Sequence, residues 1–347
     1  METPLDLGNR NRKTASMAIS PKDRRWVGFD LGGSKMLAVV YDDDFKAVAR
    51  ERKKIRAGDG VGDGVDRIVS AVEEALKDAD TSRANVAGIG IGCPGPIDLD
   101  RGVLVDAPNL GWEDAPLRKK LTDAFDCPVS VINDADAGLY GEHRFGAARK
   151  ARCVIGVFPG TGIGGSCVYE GRILRGKVHS CFEIGHSQVL PGGPICGCGQ
   201  RGCLEAVASR LAISAAAAAA AYRGQAPHLL KAAGTNLADV RSGMLADAIK
   251  NGDKVVEKIV RDAARWIGIA VANTVNLLAP DTVLLGGGLV EAMPDLFRDV
   301  VAETANDRVM RVFRNSFKVV VAELGDDAIA AGAAAWACEM AAASEKT

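Results

Sequence analysis

The side chains best suited to chemistry bunch in residues 183–205. The segment reads Glu183-Ile184-Gly185-His186, a Pro/Gly-rich turn, and then Cys196-Gly197-Cys198-Gly199-Gln200-Arg201-Gly202-Cys203-Leu204-Glu205. His186, Cys196, Cys198 and Cys203 make a Cys3His set, which suits tetrahedral Zn²⁺ held by thiolates and an imidazole. The glycines between the cysteines let the backbone turn tightly enough for the sulfurs to converge. Four protein ligands close the coordination sphere, so the expected metal is structural and not hydrolytic. A disulfide or buried free thiols are the competing readings. A Cys-x-Cys pair is poorly placed to bridge itself, and a reducing compartment disfavours the bond. Glu183 stands three residues before His186 and Glu205 two after Cys203. A metal pinning both ends would hold these two carboxylates together, an arrangement suited to a polyol; the alternative is two solvated surface glutamates.

A third carboxylate, Asp134, follows the apolar run Val129-Ser130-Val131-Ile132 and Asn133. Acids at the C-terminal end of a parallel strand sit where α/β sheets hold ligands, and Asp134 is the candidate general base. The same Asn-Asp pair could simply cap the helix that follows. Near the start, Trp26-Val27-Gly28-Phe29-Asp30 leads through Leu31-Gly32-Gly33-Ser34-Lys35 into a second strand at 36–41. This turn joins strand to strand, so it is a hairpin whose exposed N–H groups can hold phosphate oxygens, with Asp30 placed for Mg²⁺. Alone it would read as an ordinary hairpin. The pattern returns at 153–169, where Pro159-Gly160-Thr161-Gly162-Ile163-Gly164-Gly165 separates two strands. Two such units suggest a duplicated architecture, one phosphate turn per half, with a nucleotide between them. Gly286, Gly287 and Gly288 follow the strand Thr282-Val283-Leu284-Leu285 and would let a planar base or ribose approach the backbone.

These residues need a scaffold of two domains, and 347 residues suffice for two full cores. Residues 1–25 are polar and aperiodic and read as a flexible lead-in. A small α/β domain is expected over 26–133 and a larger one over 134–327, with a small-residue helix over 328–343 packing back on the first. The patterns predict a third strand over 45–53, helices over 64–77, 117–125 and 135–144, and a small-residue strand over 86–92 before the loop Cys93-Pro94-Gly95-Pro96. Farther on they predict a helix over 207–222, loop and short turns over 223–241, helix over 244–278 broken near 251–253, and a strand over 319–322. Lys and Arg total 43 against 44 Asp and Glu, with a pI of about 6.5. That balance carries no basic footprint for nucleic acid or an anionic membrane. No charge-free apolar run reaches the length of a membrane span, and nine cysteines, mostly scattered, suit a reducing cytoplasm.

Taken together, Asp30-Leu-Gly-Gly-Ser-Lys35, Asn133-Asp134, Gly160-Thr-Gly-Ile-Gly-Gly165, Glu183-Ile-Gly-His186 and the cysteine cluster to Glu205 resemble the ROK family of repressors and sugar kinases. The resemblance runs from about Val27 to Glu339 and departs at Ser34, usually Thr, and Asp136, often Asn. It implies the two-domain actin/hexokinase/Hsp70-like ATPase fold with the active site in the interdomain cleft. It implies ATP-dependent phosphorylation of a hexose, most often glucose at its 6-hydroxyl, with Asp134 as base. Pro94, Gly95, Asn109, Asn133, Glu183, His186 and Glu205 would meet the sugar. The nucleotide would lie on Gly32, Gly33, Ser34, Lys35, Thr161, Gly162 and Gly286 to Gly288, with Mg²⁺ near Asp30. A homodimer or homotetramer is the expected assembly. Kinases for fructose, allose or N-acetylated hexosamines, and polyphosphate-dependent glucokinases, fit the same residues. A sugar-responsive repressor fits least, since 25 residues before the first strand are too few for a DNA-reading module.

Overall fold

The computed structural model describes residues 19–20, 22–33, 35–55, 60–107, 110–176, 181–236 and 238–344. Expectations that fall on 1–18, on Pro21, on Ser34 and on Asn109 lie outside the described residues.

The chain begins with an antiparallel meander of β1 (Arg25–Leu31), β2 (Lys35–Tyr41) and β3 (Ala47–Lys54). Phe45 takes a left-handed turn conformation, φ 59°, so β3 starts two residues later than the hydrophobic pattern predicts. α1 (Val61–Asp78) turns Val65, Ile68, Val72 and Leu76 into the core beneath this sheet. β4 (Val86–Cys93) then lies parallel to β1. A small sheet of β5 (Ile97–Asp98), β6 (Val103–Ala107) and β7 (Trp112–Ala115) leads to α2 (Leu117–Phe125), and β8 (Val129–Asn133) pairs in parallel with β4. The first main sheet therefore runs β3-β2-β1-β4-β8.

α3 (Asp134–Phe145) carries the chain to the second sheet. There β9 (Cys153–Pro159), β10 (Ile163–Tyr169) and β11 (Arg172–Ile173) are antiparallel neighbours. Next come α4 (Leu204–Ala208), α5 (Arg210–Tyr222), α6 (Pro227–Ala233), α7 (Ser242–Lys250) and α8 (Lys254–Leu278). β12 (Thr282–Leu285), α9 (Gly288–Ala292), α10 (Pro294–Arg308), β13 (Lys318–Val321) and α11 (Ala328–Ser344) complete the chain. β12 and β13 add in parallel, so the second sheet runs β11-β10-β9-β12-β13. Both sheets have one layout: a hairpin-extended antiparallel flank beside two parallel strands.

α3 and α11 pack on each other between the sheets. Close approach explains the small residues there. A Cβ at Gly332 would stand 1.8 Å from the Ala137 carbonyl oxygen of α3, and one at Gly90 on β4 would stand 1.8 Å from that of Ala333. β1 and β4 are buried on both faces, by α1 and its core on one side and α11 on the other, which is why they read as unbroken apolar runs. β3, at the edge, is polar and rich in Arg and Lys.

Two more expectations change. The helix predicted over 207–222 begins at Leu204 and breaks at Ser209, whose Oγ accepts the Ala212 N–H at 3.3 Å as the cap of α5. The stretch Leu204–Tyr222 is long and apolar enough by composition to cross a membrane, but 50% of it is buried within the protein. The stretch predicted as loop and turns holds α6. Its free N–H groups at His228 and Leu229 donate to the Asp253 carboxylate at 3.2 and 2.8 Å, a partner supplied from another turn of the chain.

Candidate active site

Asn133 ends β8 in an extended conformation, and its Oδ1 accepts the N–H groups of Ala135 at 2.9 Å and Asp136 at 3.3 Å. Capping of α3 thus falls to Asn133, leaving Asp134 as the first helical residue. Asp134 Oδ1 accepts the Ala135 N–H at 2.8 Å, and its carboxyl lines a cleft of about 480 Å³ whose walls come from both main sheets. Burial raises the Asp134 pKa above the carboxylate range; the Ala135 N–H pulls it down and Glu183 adds to the rise. Asp30, at the end of β1, lines the same cleft and is pushed up to about 7. Burial is the main cause, Asp134 and Asp326 add to it, and Arg52 opposes it.

His186, Cys196, Cys198 and Cys203 bring their ligand atoms within 4.8 Å of one another. Cys198 and Cys203 have their sulfurs 3.7 Å apart, and Cys196 Sγ lies 3.6 Å from His186 Nδ1. Zn–S bonds of ~2.3 Å in a tetrahedron require ligand separations of roughly 3.7 Å, so these residues fit the ion. The local chain folds this way because Gly202 has φ 75° and a Cβ there would meet the Leu190 carbonyl oxygen at 1.7 Å.

Glu205, in the helix that starts just after the last ligand, lies 3.7 Å from Cys196 Sγ through Oε1. Its Oε2 accepts the Ile163 N–H at 2.9 Å. One carboxylate therefore ties the cysteine cluster to the glycine turn between β9 and β10, and a Cβ at Gly162 would stand 2.3 Å from that oxygen and push the carboxylate aside. Arg210 holds the other side of the turn, donating its backbone N–H to Gly160 O at 2.8 Å and its guanidinium to Thr161 Oγ1 at 2.7 Å.

Among the residues anticipated from sequence, Asp30, Asp134, Glu183, His186, Glu205, Gly162, Gly286 and Gly287 all line the cleft. Lys35 lines a smaller recess beside it, shared with Asp30. Pro94, Gly95, Asn133, Gly32, Gly33, Thr161 and Gly288 do not line the cleft, although the Asn133 side-chain nitrogen faces Gly95. Several lining residues escaped the sequence reading. Glu142 is fully buried and accepts the N–H groups of Glu323, Leu324 and Ala147 at 2.7–2.8 Å, fastening the end of α3 to the loop before α11. Glu291 and Asp326 add two more carboxylates, and burial followed by Asp326 raises the Glu291 pKa. The only sequence signal for Asp326 was the Asp-Asp pair directly before a small-residue helix.

Residues 26–340 match the ROK family. A glucokinase of Halalkalibacterium halodurans is 33% identical over 312 residues, covering 88% of this chain and 92% of the relative. A xylose repressor of Caldicellulosiruptor bescii is 28% identical over 306 residues, covering 88% of this chain and 76% of the repressor. A ROK family glucokinase from Streptomyces griseus, solved with glucose and AMPPNP, superposes with a TM-score of 0.77 at 31% identity, covering 91% of this chain and 99% of that one. The twin sheets and the cleft between them are thus the two-domain actin/hexokinase-like ATPase fold, and the chain belongs to the ROK family.

Proposed function

We propose that this chain is a hexose kinase that transfers the γ-phosphoryl group of ATP to a sugar hydroxyl, with the 6-hydroxyl of glucose as the preferred acceptor. The observation that carries the reading is one cleft lined by two chemically distinct sets of groups: the carboxylates and imidazole of Asp134, Glu183, His186 and Glu205, and the glycines Gly160, Gly162, Gly286 and Gly287. Carboxylates and an imidazole suit a polyol, and backbone N–H groups at glycine turns suit phosphates. The family's glucokinases support the same assignment.

The sugar hydroxyl would give its proton to the Asp134 carboxylate as its oxygen bonds to the γ-phosphorus, and the bond to the ADP oxygen breaks. Mg²⁺ carried with the nucleotide, beside Asp30, would neutralise charge on the transferring group. Zn²⁺ would be held by His186, Cys196, Cys198 and Cys203. With Nδ1 turned to the sulfurs, His186 keeps Nε2 to donate to a sugar hydroxyl. Asn133 fixes the start of α3 and so the position of the base. Exclusion of water between the lobes would protect the phosphoryl group from hydrolysis.

Steady-state assay of the purified protein with a panel of hexoses and N-acetylhexosamines, each against ATP and inorganic polyphosphate, tests the proposal. The highest kcat/KM is expected for glucose with ATP. A higher value for another sugar or for polyphosphate would correct the substrate, and no turnover with any pair would overturn the reading.

A further inference from the structure

The register of the first sheet aligns Asp30 on β1, Leu37 on β2 and Arg52 on β3 in one cross-strand row. Directly opposed residues project from the same face, here the face that α11 covers, since Leu37 packs in the cluster with Ala330 and Ala334. Arg50, two residues earlier on β3, belongs to the same face. Each arginine reaches the turn directly before α11: Arg52 to Asp326 at 2.8 Å and Arg50 to Asp327 at 2.7 Å. The two ion pairs look alike but face different surroundings. Arg52 and Asp326 line the recess that also holds Asp30 and Lys35, and Asp326 and Asp30 go on to line the main cleft, whereas Arg50 and Asp327 line neither.

Arg52 is thus the one guanidinium among the described residues lining these two spaces, set among the carboxylates of Asp30 and Asp326. Its present pairing is weakly held. The Arg52 and Asp326 side chains are 49% and 70% exposed, and ion pairs so open to solvent are easily traded. A nucleotide phosphate chain carries several charges and matches the planar guanidinium fork. Asp326, left behind, stays hydrated. We propose that Arg52 is a donor-binding residue that exchanges Asp326 for the terminal phosphates of the nucleotide, while Arg50 is only a surface tether. This rests on the kinase reading above.

The test compares Arg52→Gln with Arg50→Gln in the full chain, measuring kcat, KM for ATP and KM for hexose, and titrating a fluorescent ATP analogue and adenosine. For Arg52→Gln, KM for ATP and the analogue's Kd should rise by about tenfold or more, the loss expected of a charge-assisted contact. Adenosine binding and hexose KM should hold within twofold. Arg50→Gln should leave all of these near wild type, and equal melting temperatures for the two variants exclude a folding difference. Equal effects of both variants on ATP binding would make the pairs a structural clasp and overturn the assignment. So would an unchanged KM for ATP in Arg52→Gln beside an active wild type. A wild type inactive with every sugar and donor would instead overturn the kinase reading, and this assignment with it.

Discussion

Asp134 and Asp30 both line the cleft, and burial raises the pKa of each. Asn133 already caps α3, so replacing Asp134 should cost activity far more than stability. Asp134→Asn is expected to lower kcat by about 10²–10⁴-fold, with hexose binding changed much less. Asp134→Ala should melt close to wild type. A large drop in its melting temperature with near-normal turnover would make Asp134 a structural residue after all. Asp30 makes a different forecast. Its folded pKa of about 7 lies above the ordinary carboxylate value of 3.8. The folded state therefore holds the proton more tightly, a contribution fully present below pH 3.8 and lost as pH rises through about 7. Without ligands, Asp30→Asn should raise stability at pH 8 by about 1–3 kcal/mol, little of it at pH 4, while raising the Mg²⁺ concentration needed for half-maximal turnover. Denaturation curves of both proteins at the two pH values measure this directly.

Among elements, the 183–205 segment acts on the cleft from both of its ends. Glu205 bonds the β9–β10 turn, and His186 contributes to both the cysteine cluster and the cleft lining. Cys196→Ser is expected to lower zinc content and to raise hexose KM, because ligand loss frees the supports of Glu183 and Glu205. Zinc-free protein with an unchanged hexose KM would separate the metal from the sugar site. The α3–α11 crossing is the second element-level feature. Gly332→Val would drive a side chain into the Ala137 carbonyl. It should cost about 2 kcal/mol or more, read as a lower denaturation midpoint, since neither helix can shift without disturbing the sheet beneath α11.

At the scale of the whole molecule, the anticipated nucleotide and sugar contacts come from both main sheets, and the same cleft is lined by the loop that precedes α11. Binding energy gained across such a cleft favours approach of its walls. Saturating glucose should therefore reduce the radius of gyration in small-angle scattering, with Asp134→Asn compacting like wild type because it keeps the sugar. An unchanged scattering curve at saturation would mean that the cleft is already closed without ligand.

What the sequence determined by itself was whatever is encoded over short spans. His186 and the three cysteines sit within 18 residues, so glycine-permitted turns alone can converge them. Strand-turn-strand units around Asp30 and Gly162 announce hairpins through local pattern, and a polar pair after an apolar strand marks a helix start. Local pattern could not decide whether Asn133 or Asp134 was the cap, because both side chains can accept the same N–H groups; the extended backbone at Asn133 decided it. Nor could it find Arg52, Asp326 or Arg210. Arg52 and Asp326 are separated by 274 positions, and Arg210 and Thr161 by 49. No periodicity links such residues; only the stacking of α11 on the first sheet, and of α5 behind the β9–β10 turn, brings them into contact. The same limit explains α6, whose N-terminal N–H groups depend on Asp253, a carboxylate that the tertiary fold delivers from beyond the next helix.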